Sequence, residues 1–277
     1  MARKSLIAMI KAAGETETDY AEKLTADFTH AVQKWDKINK RVPSNSFKPS
    51  SFRCLRCGVM QVLGLPQDEG EERANMIGIC AGGSFIHEYV QHIIYRMKEM
   101  GMSWEYVDVA KYVSEKKLPL EIISPSDFEN NVFETKLYSE RYNFRFLCDG
   151  IIKIKNKYFI LEIKSISSNQ FFKLKEIPKK YRTQAISYSS LLRIDDVIFL
   201  FVDRDLFNTK SFMLTATQKE KSLWQGKVLA GLKYVEDKEI PPIPSEAGRE
   251  FCMYCDYKTM CEKLKNEGDD MKGILQT

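Results

Sequence analysis

The stretch NFRFLCDGIIKIKNKYFILEIK, Asn143 to Lys164, decides the fold. Its first half alternates apolar and polar residues and turns β-branched towards Ile154, the pattern of a strand. Lys155-Asn156-Lys157 reads as a turn, and Tyr158 to Lys164 as the returning strand. Asp149 ends the first strand, with Gly150 behind it as a bend or bulge. Glu162 and Lys164 lie two apart in a strand, so their side chains share a face. A tight hairpin would set Asp149 beside Glu162, and the two carboxylates could converge on one divalent cation with Lys164 next to them. Hard oxygen ligands hold Mg²⁺ or Mn²⁺ while leaving positions for water and a phosphate oxygen, an arrangement suited to phosphodiester hydrolysis.

Downstream, Pro178 precedes a helix running to about Leu192. Val197 to Val202 reads as a buried strand, Ser211 to Thr215 as its partner, and Gln218 to Val235 as a further helix. Upstream, a helix is expected from Gly82, with an apolar stripe of Phe85, Ile86, Tyr89, Val90, Ile93, Ile94 and Met97. Residues 104–123 read either way, and Ser124-Pro125-Ser126 marks a turn. Residues 1–43 read as a helical arm, with Tyr20, Leu24, Phe28, Val32 and Trp35 at helical spacing. Strands mixed with helices in this order predict an α/β fold with a mixed central sheet flanked by helices. His87 borders the apolar stripe and His92 lies on its polar side. Gln184 and Tyr188 stand one turn apart on one helical face. Taken singly, each has an ordinary reading as a boundary histidine, a surface glutamine or a half-buried tyrosine.

The chain has 277 residues, 44% apolar and 29% charged, with a net charge of +4, which excludes a disordered or collagen-like chain. No apolar run approaches the roughly 18 residues that span a bilayer. The apolar patch within Met1 to Lys11 is too short for a signal sequence, so no membrane association and a cytoplasmic address are expected. Lys153, Lys155, Lys157, Lys164, Lys173, Lys175, Lys179, Lys180 and Arg182 cluster with Tyr158, Phe171, Phe172 and Tyr181 among them. Such a stripe can track phosphates and stack bases, although lysines also protect sheet edges.

The order His87, Asp149-Gly150, Glu162-Ile-Lys164, Gln184-x-x-x-Tyr188 resembles the RecB-type branch of the PD-(D/E)XK nuclease superfamily over roughly residues 44–262. The resemblance implies a restriction-endonuclease-like core at 44–248, behind the arm at 1–43 and ahead of a C-terminal cysteine segment at 249–277. It implies that His87, Asp149, Glu162 and the main-chain carbonyl of Ile163 bind Mg²⁺ or Mn²⁺, and that Lys164 acts in catalysis with Asp149 and Glu162. Gln184 and Tyr188 would contact DNA, with Lys173, Lys175, Lys180 and Arg182 steering its backbone. An additional upstream acidic ligand is common in the family, and Glu134 and Glu140 both qualify. The implied activity is an exonuclease on single-stranded DNA or duplex ends, in recombination or repair, in a cellular nucleoid or a phage-infected host. The chain shows no nucleotide-binding P-loop, so any unwinding would come from a helicase or recombination partner. The arm could dock such a partner or a second copy. The competing readings are a silent or partner-activated DNA-binding subunit of the same fold and a zinc-stapled interaction protein.

Seven cysteines, an odd number, argue against a disulfide framework. Cys80 and Cys148 sit in apolar company and are expected to be buried. Cys54-x-x-Cys57 and Cys252-x-x-Cys255-x5-Cys261 have metal-ligand spacing. Two pairs, Cys54/Cys57 and Cys252/Cys255, would suit zinc; the other set is Cys54, Cys252, Cys255 and Cys261. The second set resembles the 4Fe-4S staple of the CRISPR-associated and AddB-type members of the family, in which the segment Pro49-Ser-x3-Cys54-x-Arg56 also has a counterpart. Cys57 departs from that pattern and keeps zinc open. Closing a loop of roughly 200 positions would stabilise the domain strongly.

Overall fold

The structure is a computed structural model that describes residues 17–39, 44–68, 74–244, 252 and 255–266. By contacts the chain divides into one unit of Met1–Val42 with Glu69–Gly82 and a second of Pro43–Asp68 with Gly83–Thr277. In the first, helix α1 covers Glu17–Ile38. Its apolar positions Tyr20, Leu24, Phe28 and Trp35 are exposed.

The second unit opens with a 3-10 turn, Ser51–Arg53, and helix α2, Leu55–Val62. Helix α3 spans Ala74–Arg96 and so begins before Gly82, where the sequence places its start. Strand β1 (Trp104–Val107), helix α4 (Val109–Glu115) and strand β2 (Glu121–Ser124) fill the stretch that reads either way. Then come β3 (Thr135–Ser139), β4 (Phe144–Cys148), β5 (Gly150–Ile154) and β6 (Lys157–Ile166). Helices α5 (Ser168–Lys173) and α6 (Lys179–Leu192) lead to strands β7 (Asp196–Asp203) and β8 (Thr209–Thr215). Helix α7 (Gln218–Glu236) and helix α8 (Lys258–Asn266) complete the described order.

A five-stranded sheet runs β1-β5-β6-β7-β8, and a three-stranded sheet runs β2-β3-β4. Among the strands of the described residues only β6 and β7 pair in parallel, and the other neighbours are antiparallel. A parallel pair needs a crossover, which α5 and α6 supply. Both faces of β6 are covered. Ile160 joins the core with Ala185, Tyr188 and Leu192 of α6, while Leu161 and Ile163 pack with Val90 and Ile94 of α3. This is a mixed α/β fold with a central mixed sheet flanked by helices, as the sequence predicts.

Three expectations change. Asn143 to Ile154 is two strands: Cys148 pairs with Thr135 in the small sheet, and Gly150 pairs with Leu161 in the large one. Alternation continues through the break, so it cannot reveal it. Phe85, Tyr89 and Ile93 are exposed, because the seven stripe positions cover about half the circumference of α3 and only the Val90 and Ile94 side meets the sheet. Cys80 lies on the exposed side of that helix, whereas Cys148 is buried.

Candidate active site

Asp149 sits where the chain leaves one sheet for the other, so no strand neighbour serves its peptide carbonyl. Two side chains do: Gln91 Nε2 donates at 2.6 Å and the Tyr106 hydroxyl at 2.7 Å. Gly150 has to be glycine here, because a Cβ would stand 2.6 Å from the Tyr106 hydroxyl. Asp149 Oδ2 accepts from the Ile163 N–H at 2.7 Å, and Oδ1 lies 3.7 Å from His87 Nδ1 on α3. In a strand a residue's N–H and C=O point to the same side, so the Ile163 carbonyl faces the Asp149 side as well. Gly83 brings α3 close to β6, since a Cβ there would stand 3.1 Å from Ser165 Oγ.

His87, Glu134 and Asp149 each offer a ligand atom, and the three atoms lie within 4.8 Å of one another. Glu134 immediately precedes β3, while Glu140, itself exposed, opens the 3-10 turn Glu140–Tyr142 after that strand. Of these two acidic residues, only Glu134 joins the group. Glu162, 1% exposed, lies outside this trio and is ion-paired with Lys164 through Oε1. Its Oε2 is buried without a hydrogen-bond partner. Two carboxylates and an imidazole, beside an orphaned carboxylate oxygen, fit a hard divalent cation.

The electrostatics agree with that fit. Burial, reinforced by the Asp149 charge, pushes Glu162 up to about 7 against the pull of Lys164. Burial would also raise Asp149, but His87, Lys164 and the Ile163 N–H outweigh it and hold the carboxyl low. Burial would depress both His87 and Lys164, yet both are raised, His87 chiefly by Asp149 and Lys164 by Glu162 and Asp149.

Gln184 Nε2 donates to the Tyr188 hydroxyl at 2.8 Å, and Tyr188 is buried against Phe146. As placed, Tyr188 therefore touches Gln184 and the core, and Gln184 is the more accessible of the pair. Arg182 pairs with Glu220, donating from Nε at 2.8 Å, and its side chain is half exposed. Lys164 and Lys180 both lie over the Tyr181 ring, at 5.1 and 4.9 Å from its centroid. Lys173 and Lys175 are exposed at and after the end of α5. His92, on the polar side of the stripe, stands outside this group; its Nδ1 lies 3.0 Å from Asn131 Oδ1. Gln91 and Tyr106 escape the sequence reading because they serve a main-chain carbonyl, which leaves no motif.

A second centre lies around a cavity of about 390 Å³ that Cys54, Cys57, Cys252, Cys255 and Cys261 line together. Cys54 caps α2, Cys57 is in its first turn, and Cys261 is on α8. The Cys57 thiol hydrogen-bonds to Cys255, which raises Cys57 and lowers Cys255 to about 7, and burial raises Cys54. Buried Arg56 donates from Nε to Cys261 Sγ at 3.2 Å and from Nη1 to the Pro241 carbonyl at 2.6 Å. Among the described residues, no three of these sulfurs approach within 4.8 Å of one another. The two chain segments also bond directly: the Asp68 N–H donates to the Asp256 carbonyl at 2.6 Å, and the Thr259 N–H to the Asp68 carboxylate at 3.0 Å.

No family model matches the chain. No curated protein matches it. Among solved structures it is similar to SSO0001, at 13% identity and a TM-score of 0.43, over 86% of this chain and 96% of that one. It is also similar to LHK-Exo in complex with dAMP, at 11% identity and a TM-score of 0.42, over 70% and 89%. The alkaline exonuclease LHK-Exo from Laribacter hongkongensis gives 12% identity and a TM-score of 0.41, over 71% and 90%. Among the described residues, no helix is long and apolar enough to cross a membrane.

Proposed function

We propose that the protein is a metal-dependent deoxyribonuclease of the PD-(D/E)XK type, acting as an exonuclease on single strands or duplex ends. The observation that carries this reading is the His87–Glu134–Asp149 ligand group beside the buried Glu162–Lys164 pair. A divalent cation bound there acidifies the attacking water and offsets charge growing on the phosphate. His87, Glu134 and Asp149 hold that cation, and Glu162 Oε2 and the Ile163 carbonyl stand ready to complete its shell. Glu162 also anchors the Lys164 ammonium, which orients the water and donates to a phosphate oxygen. Gln184 holds the strand beside the site and Tyr188 fixes the Gln184 amide. Lys173, Lys175 and Lys180 attract the backbone.

The cysteine cavity is proposed as the seat of a 4Fe-4S cluster on Cys54, Cys252, Cys255 and Cys261, with a structural role. A single tetrahedral zinc, with bonds of about 2.3 Å, needs its sulfurs within roughly 4 Å of one another. The 4Fe-4S reading rests on the resemblance of the Cys54 and Cys252–Cys261 segments to that family's staple. The Arg56 N–H fixes the Cys261 sulfur at the edge of the cavity. Iron, acid-labile sulfide and zinc measured on anaerobically purified protein decide between the two. The arm at 1–43 is proposed to meet a helicase or recombination partner, or a second copy, through its exposed apolar residues.

The test of the main reading is incubation with 5′- and 3′-labelled single-stranded DNA in Mn²⁺, beside Lys164→Ala. Progressive shortening lost in the variant is expected. Equal cleavage by both proteins, or cleavage only at internal sites, overturns it.

A further inference from the structure

The Tyr106 hydroxyl stands between the two main-chain segments that present carboxylates to the metal group. It is 2.7 Å from the Asp149 carbonyl and 3.3 Å from the carbonyl of Phe133, the residue before Glu134. Gln91, 2% exposed and one helical turn beyond His87, donates to the same Asp149 carbonyl at 2.6 Å. That oxygen thus has both lone pairs filled. Asp149 Oδ2 is fixed in turn by the Ile163 N–H. The residue is held at three points, and only Oδ1 is left to face a cation.

The holders are themselves buried and packed. The Tyr106 ring packs edge-on against Phe128, Phe133 and Tyr95, and Gly150 closes over its hydroxyl with no room for a methyl group. Gln91 is carried by the helix that carries His87. The Glu134 segment, the Asp149 segment and the His87 helix therefore meet at one phenol and one amide.

Resting on the metal-site reading above, we propose that Tyr106 and Gln91 are positioning residues that set the separation of Glu134, Asp149 and His87, and that this rigid spacing selects Mg²⁺ over the larger Ca²⁺. Mg²⁺ demands near-ideal octahedral ligands at about 2.0–2.1 Å, whereas Ca²⁺ accepts irregular ones at about 2.3–2.6 Å. Loosening the clamp costs the small ion more than the large one. Partners of this outer kind typically carry about 10-fold to 100-fold in metal affinity.

The experiment is calorimetric titration of the DNA-free protein with Mg²⁺ and separately with Ca²⁺, for the wild type, Tyr106→Phe and Gln91→Met, each with a thermal melt. The expected result is a loss of Mg²⁺ affinity of about 10-fold in each variant with a Ca²⁺ loss below about 3-fold. The ratio is the informative quantity, since general damage to the fold weakens both ions alike. Gly150→Ala, which must displace the Tyr106 hydroxyl, should shift the ratio the same way and guards against one variant failing to fold. Equal losses for both ions, or unchanged affinities, overturn the clamp while leaving the metal site standing. A wild type that binds neither ion overturns the site itself, and the clamp with it.

Discussion

At the carboxylate site each group rests on backbone already committed to a helix or a sheet: His87 on α3, Glu134 at the start of β3, Glu162 and Lys164 inside β6. At the cysteine cavity the sulfurs come from two remote segments, around α2 and around α8, joined also by Tyr257 and Leu264 in the core and by hydrogen bonds such as Thr259 to Asp68. The first site is organised by the fold that surrounds it. On the proposed reading the second helps to hold the fold, since a cluster on those cysteines would link segments that the sheets do not. Mutations should accordingly divide between those that remove activity and those that remove stability.

The largest effect belongs to the first class. Lys164→Ala should lower the cleavage rate on the order of 10³-fold, measured in single turnover. Glu162, left without its ion pair, takes up a proton, so the melting temperature should move only a few degrees. A collapse of the melt would mean that the pair is mainly structural and would erase the distinction between the centres.

Cys261→Ser tests the other side. It removes one proposed ligand and the acceptor of Arg56, and the loop it helps close is worth on the order of 5 kcal/mol of chain entropy. Denaturant melts should show several kcal/mol lost, with Mg²⁺ affinity at the carboxylate site intact. An unchanged midpoint would show that the cavity closes nothing.

A smaller effect appears with pH. In metal-free protein Glu162 keeps its proton to about 7, whereas an unfolded glutamate loses it near 4.3. Between those values the native state holds the extra proton, so stability falls as pH rises through about 7. His87 acts in the same direction: its raised value adds stability below about 6.5 that is lost as pH climbs past the folded value. Melts in EDTA should therefore drop from pH 6 to 8. Glu162→Gln should flatten the drop, and Mg²⁺ should reverse it.

The smallest effect separates the cations near the site. Lys173→Ala and Lys175→Ala should each reduce the salt dependence of single-strand binding by about 0.7 in log–log slope. Arg182→Ala should leave that slope unchanged, since its guanidinium is paired with Glu220, and should cost under about 1 kcal/mol of stability.

Much of the carboxylate site is legible in the chain because its spacing is local. Two-residue periodicity puts Glu162 and Lys164 on one face, and the turn at Lys155 and Asn156 returns β6 beside β5. What is not legible depends on distant partners. Nothing local tells Glu134 from Glu140, since the choice turns on which end of β3 lies near His87. Gly150 marks a bend after Asp149 in the sequence, but the change of sheet there is hidden, because the reason for Gly150 is Tyr106, remote in sequence. The exposure of Phe85, Tyr89 and Cys80 follows from which side of α3 meets the sheet, a fact of packing that helical periodicity does not contain.

The bonds from Asp68 to Asp256 and Thr259 also bear on the order of synthesis. His87, Glu134, Asp149, Glu162 and Lys164 have all left the ribosome before residue 200, whereas Thr259 follows far later. The lock between the two segments is the last part fitted, and folding of the sheet that bears the carboxylates cannot lean on it. A nascent chain can therefore place its carboxylate site before the fastening of Asp68 to Thr259 is made, because α8 follows α7 in the chain.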